Sequence, residues 1–148
     1  MGFRYTFQGI LDLKESERNQ AERELSQSIG QLQLEESSLK ELLDNRLQII
    51  AQMNQASSKS IPIGQMVQMQ QYVDHLDNRI KLKNQDVRVA QRRVSQDQEQ
   101  LTHCMVDEKV WIKAREKALQ LYTSTQLKKE QNLLDEMAAS RFLRMSTG

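Results

Sequence analysis

Proline is almost missing from this chain and glycine is scarce, with one Pro and five Gly in 148 residues. Sheets and many-looped folds need such residues at their connections, so both are excluded. A single cysteine, Cys104, cannot close an internal disulfide, which fits a reducing compartment. Neither sign of charge dominates: 21 Lys and Arg oppose 20 Asp and Glu, so the total points neither to an acidic tail nor to a strongly basic nucleic-acid binder. No apolar run approaches the length that spans a bilayer, and the opening Met1-Gly2-Phe3-Arg4-Tyr5 lacks the apolar core of a signal peptide. One soluble cytosolic domain is expected. A phosphate-cradling glycine loop, a paired metal-ligand motif and a nucleophile beside a base are all lacking, so we expect no enzyme, no cofactor and no metal.

What the chain does have is helical periodicity. From Phe3 to Ala56 apolar residues recur at alternating steps of three and four, the spacing that keeps one stripe on a helix face. With Leu11, Arg18, Leu25, Leu32, Leu39, Arg46 and Met53 at heptad position a, position d holds Phe7, Lys14, Ala21, Ser28, Glu35, Leu42 and Ile49. Five of these 14 sites are polar, so the seam is apolar but weak. The pattern stops where hydroxyl residues, the only proline and a glycine cluster, between Ser57 and Gly64. It resumes with Met66, Val73, Ile80, Val87, Val94, Leu101, Glu108, Arg115 and Tyr122 at a, and Met69, Leu76, Lys83, Ala90, Asp97, Cys104, Trp111, Ala118 and Thr125 at d. The expected architecture is all-α: an antiparallel two-helix coiled-coil hairpin over residues 1–148. Its helices run from about 3 to 56 and 64 to 143, with a turn at about 57–63.

A turn centred on Ile61 makes facing residues add to about 122, which sets Leu42 against Ile80, Ile49 against Val73, Leu11 against Trp111 and Lys14 against Glu108. A slip of seven residues pairs many apolar sites almost as well. The helices are unequal, roughly 80 and 120 Å at 1.5 Å per residue, so the C-terminal helix overhangs. From Gln120 onward no intrachain partner is expected, yet Leu121, Tyr122, Leu127, Leu133, Leu134, Met137, Phe142 and Leu143 lie there. An isolated helix gains little from propensity alone, so this overhang calls for a surface supplied by another protein.

Other features have plainer readings. His75 and His103 have no second ligand at a metal-closing spacing, and Cys104 at a d site reads as packing. Six basic residues from Arg79 to Arg93 are spread around the helix without interleaved aromatics, so they read as a solvated flank and no nucleic-acid partner is expected. Trp111 at d reads as packing near Leu11 and Phe7. Gly30 costs its helix about 1 kcal/mol relative to alanine and marks either a bend or a close approach.

Three stretches resemble a known family. Phe7-Gln8-Gly9-Ile10-Leu11-Asp12-Leu13-Lys14, the run MVQMQQYVDHLDNRI from Met66 to Ile80, and Lys128-Lys129-Glu130-Gln131-Asn132-Leu133-Leu134-Asp135-Glu136-Met137-Ala138 are similar to FliJ, the soluble component of the bacterial flagellar export apparatus. The resemblance implies an antiparallel coiled coil like the central stalk of rotary ATPases. The partners it implies are the hexameric export ATPase, the cytoplasmic part of the transmembrane export gate, and escort chaperones. It places the chain in the cytoplasm, peripherally associated with the inner face of the membrane through that apparatus and without direct membrane insertion. It marks Leu42, Ile49, Tyr72 and Leu76 as candidates for gate contact, the first two and the last being seam positions as well. Candidates for the ATPase ring are Lys128, Lys129, Asp135, Glu136 and Arg141. The alternatives are a stalk of a related virulence type III secretion system, or a coiled-coil scaffold whose overhang pairs with its own copy.

Overall fold

The computed structural model describes residues 2–147 and holds two helices, α1 (Gln8–Ser57) and α2 (Ile63–Thr147), of 50 and 85 residues. They form an all-α antiparallel hairpin with the C-terminal helix the longer. The heptad frame describes their packing closely: of all the a and d sites, only Phe7 and Thr125 are exposed. Leu76 is fully buried, and Ala21, Leu42, Val73, Val87, Ala90 and Cys104 are buried around the seam. Each large apolar side chain so covered contributes about 1.5–3 kcal/mol.

The chain divides into two compact units, one of residues 2–19 with 103–147 and the other Gln20–Thr102. The second unit contains the turn. There the hydroxyls of Ser57 and Ser58 donate to the carbonyls of Asn54 and Gln55 at 2.8 and 2.7 Å, satisfying acceptors that the end of α1 leaves open. The Pro62 carbonyl accepts from the amides of Gln65 and Met66 and so opens α2. Gly30 lies within unbroken helix, and nothing stands within 4 Å of where its Cβ would be, so the close-approach reading fails.

Polar seam residues are paired in both units. In the second, Lys83 meets Glu35 at 2.9 Å, Arg46 meets Asp77, and the Ser28 hydroxyl donates to Asp97, which Arg93 also approaches at 3.7 Å. In the first, Arg18 donates through Nε to both carboxylate oxygens of Glu108 at 3.0 and 2.8 Å, and Lys14 binds Asp107 at 2.7 Å. The expected Lys14–Glu108 pair is thus replaced by two pairs, Lys14 reaching Asp107 one residue earlier in α2 and Glu108 reaching Arg18 one turn further along α1, because long side chains lean along the helix to reach a neighbouring layer. All of these cross-helix partners have residue numbers adding to 122 within four, which settles the register.

The hydrogen bond that the Lys14 ammonium donates to the Asp107 carboxylate holds it above its ordinary pKa. Burial opposes this, and the nearby charges of Asp107 and Glu17 add smaller effects in the raising sense. Lys83 is raised in the same way, first by its bond to Glu35 and with help from Asp86.

The start of the chain departs from expectation. Residues 2–7 are not helical, and α1 begins at Gln8. Phe3 packs on Tyr122 with ring centroids 5.5 Å apart, Tyr5 on Phe7 at 5.9 Å and Phe7 on Trp111 at 5.8 Å. From Trp111 to Tyr122 is roughly 16 Å of helix, which four residues approach only when extended, since four helical residues rise roughly 6 Å. The guanidinium of Arg115 lies 5.8 Å over the Phe3 ring, and its Nε donates to Gln8. Tyr122 is therefore half-buried beneath Phe3, and its expected place among the bare overhang residues is corrected.

Candidate partner-binding surfaces

Within the first unit, the segment paired against α2 ends with Phe3 over Tyr122. Beyond that layer α2 continues to Thr147, and from Leu127 to Ser146 every residue is exposed. The apolar side chains that water meets there are large: Leu127 and Leu134 are each 60% exposed and Phe142 is 70% exposed, with Leu133, Met137, Leu143 and Met145 also bare. Leu121, just before, is exposed as well.

These residues are not a continuation of the hairpin seam. Past Tyr122 the a and d positions are Thr125, Lys129, Asn132, Glu136, Ala139, Leu143 and Ser146, nearly all polar or small. Leu127 lies nine residues after the seam residue Ala118, which is two and a half turns, so it points to the opposite side of α2. Leu134, Ala138, Arg141 and Met145 follow on that back face. Met137 and Phe142 flank it and join them around a shallow groove.

The five ring candidates are all exposed but do not form one cluster. Arg141 lies in the back-face groove, Lys128 and Asp135 stand on one flank of it, and Lys129 and Glu136 occupy a positions on the side that carried the seam. The Asp135 carboxylate accepts from Gln131 at 3.2 Å.

The gate candidates, in the second unit, divide sharply. Leu76 is fully buried and Leu42 is 6% exposed, so both are seam packing, and Ile49 is half-buried. Tyr72 alone presents its ring to solvent, 43% exposed and beside His75. Leu43, Leu47, Ile63 and Val67 are exposed apolar residues of the same unit that the heptad frame passes over. The basic run is partly spent within the hairpin, Lys83 on Glu35 and Arg93 on Asp97.

Among the described residues, no group of His, Cys, Asp and Glu could hold a metal ion, and no helix is long and apolar enough to cross a membrane. The class these features define is a coiled-coil hairpin that carries an exposed apolar helical surface. The family model described as the flagellar FliJ protein matches residues 3–147, and the chain belongs to that family. It is 27% identical over 144 residues to the flagellar FliJ protein of Bacillus subtilis, covering 97% of each chain. Its fold is shared with a solved YscO homolog from Chlamydia trachomatis, at 18% identity and a TM-score of 0.68 over 93% of each chain. Family membership assigns the chain to flagellar protein export in a structural, adaptor role.

Proposed function

We propose that the chain is a stalk-like adaptor of the flagellar export apparatus. Its bare C-terminal segment engages the export ATPase hexamer, while its turn-bearing unit meets the cytoplasmic part of the export gate and escort chaperones. It works in the cytoplasm, held at the inner face of the membrane through those partners. The observation that carries this reading is the stretch of α2 past Tyr122, helical and carrying large apolar side chains that are exposed to water from Leu127 to Ser146. A helix gains most of its stability from packing its apolar face, so a segment with this composition is built to be covered. Leu133, Leu134 and Met137 supply apolar contact there, and Lys128, Lys129, Asp135, Glu136 and Arg141 supply charge for orienting it. On the gate side Tyr72 is the contact residue, with Leu42, Ile49 and Leu76 holding the seam beneath it.

The test is a chain ending at Gln126, which keeps the Phe3 and Tyr122 layer. We expect it to remain helical by circular dichroism and to lose association with the purified ATPase hexamer. Unchanged affinity would overturn the assignment. A Tyr72→Ala variant, which leaves the seam intact, should weaken binding to the gate's cytoplasmic domain and spare the ATPase.

A further inference from the structure

We propose that the back face of the overhang is a self-association surface, covered by the same segment of a second copy running antiparallel. The inference does not rest on the export reading; Leu134 and Met137 serve both surfaces, so the self-paired form and the ring-bound form exclude one another. It starts from the half-turn between the seam and the Leu127, Leu134, Ala138, Met145 stripe: residues 2–19 cover α2 only as far as Tyr122, and beyond it the apolar stripe lies on the side away from the seam, exposed to water.

The stripe is complementary to itself. A two-fold axis near residue 136 sets Leu127 of one copy against Met145 of the other, and Leu134 against the small Ala138, so large meets small in each inner layer. The polar member of the stripe, Arg141, then faces Gln131, whose side-chain carbonyl can accept from it. On one flank Met137 meets its own copy, and Glu130 meets Arg144 twice, once on each side of the axis. A parallel pair would instead set Arg141 against Arg141 in the stripe and Glu130 against Asp135 on both flanks. Like charges at such positions oppose association, so the charge pattern selects the antiparallel arrangement. Asp135 facing its copy on the other flank is the one repulsive layer. The contact spans about five turns of helix, which makes it a small interface and the dimer a weak one.

Sedimentation equilibrium of the full chain up to about 500 µM gives the first readout, with a reversible monomer–dimer equilibrium expected. Glu130→Arg alone weakens association by about tenfold, Arg144→Glu alone does likewise, and the double exchange restores it. Register is read by cysteine crosslinking in a Cys104→Ser background. Met137→Cys forms a disulfide-linked dimer, whereas Leu127→Cys, far from its own copy in this arrangement, does not. A chain that stays monomeric throughout, charge variants that leave association unchanged, or crosslinking at residue 127 equal to that at 137 would overturn the proposal. ATPase-hexamer binding of the same variants is measured separately, so failure here and failure of the stalk reading are distinguishable.

Discussion

Glu108→Leu tests whether polar pairs in the seam fix the hairpin. Arg18 and Glu108 are 24% and 13% exposed in their side chains, and both carboxylate oxygens receive the Arg18 Nε proton. Such a charge-assisted, part-buried contact contributes on the order of 1.5–3 kcal/mol. Removing the carboxylate takes both Glu108 hydrogen bonds from the part-buried Arg18 charge, and because a quarter of that side chain still reaches water the cost is about 2 kcal/mol. For a chain of this length that lowers the melting midpoint by about 4–8 °C. Replacing Arg18 by Leu as well removes the part-buried charge and brings stability back to within about 1 kcal/mol of the parent. The cost of the double exchange falls on register. Sliding α2 by one heptad in one sense sets Arg18 against Arg115 and Asp97 against Glu35, and in the other sense it drives Glu35 against Leu76. The double variant removes one of these vetoes, so spin labels at Ser16 and Lys109 should report a second distance absent from the parent. Thermal melts of the four chains of the cycle are the assay. A single variant as stable as the double, or a coupling below about 0.5 kcal/mol, would refute the reasoning.

Three further outcomes follow from the same packing. Leu76→Ala opens a cavity at the one fully buried large side chain and should cost about 2–4 kcal/mol in chemical denaturation, far more than Leu82→Ala on the exposed face. Lys14 and Lys83 both have folded-state pKa values raised above the ordinary lysine value of 10.5, so they bind protons more tightly folded than unfolded. Their stabilising effect is complete below that ordinary value and is lost as pH climbs through the raised ones, so melting midpoints should fall on the alkaline side, and less steeply in Glu35→Gln, which lacks the main cause at Lys83. Phe3→Ala uncovers Tyr122 and removes the ring beneath Arg115. Proteolysis should then cut sooner near Leu121, while the helices of Gln20–Thr102 stay protected.

Nearly all of the hairpin was legible because a coiled coil is a one-dimensional code: the spacing that lays Leu42 and Leu76 on their stripes also decides that they are covered. Register was not legible from apolar spacing, since a shift by seven restores the pattern. Its determinants are the polar interruptions Glu35, Lys83, Arg18 and Glu108, which weaken the seam when counted as defects but specify it when paired. The first residues misled for a different reason. Phe3, Tyr5 and Phe7 alternate at a period of two, the signature of extended chain, yet they sit at the edge of a long helical pattern and take on its period if read with it. Their rings hold that conformation by packing on Trp111 and Tyr122, a tertiary effect that no local propensity contains.

The overhang shows the same limit from the other side. Counting apolar residues past Gln120 finds the segment whose large side chains are exposed, but a count carries no direction. Direction comes from phase: the a and d sites turn polar at Thr125, Lys129 and Asn132 while Leu127 and Leu134 carry the apolar surface half a turn away. An α1 lengthened at its N-terminus would therefore find Lys129 and Glu136 where it needed leucine, and could not cover this segment. The phase change separates the side of α2 that packs in the hairpin from the apolar side left exposed. Moving Leu127 and Leu134 to the a sites at 129 and 136 would keep composition and helicity, yet should abolish every interaction of the overhang that depends on its back face.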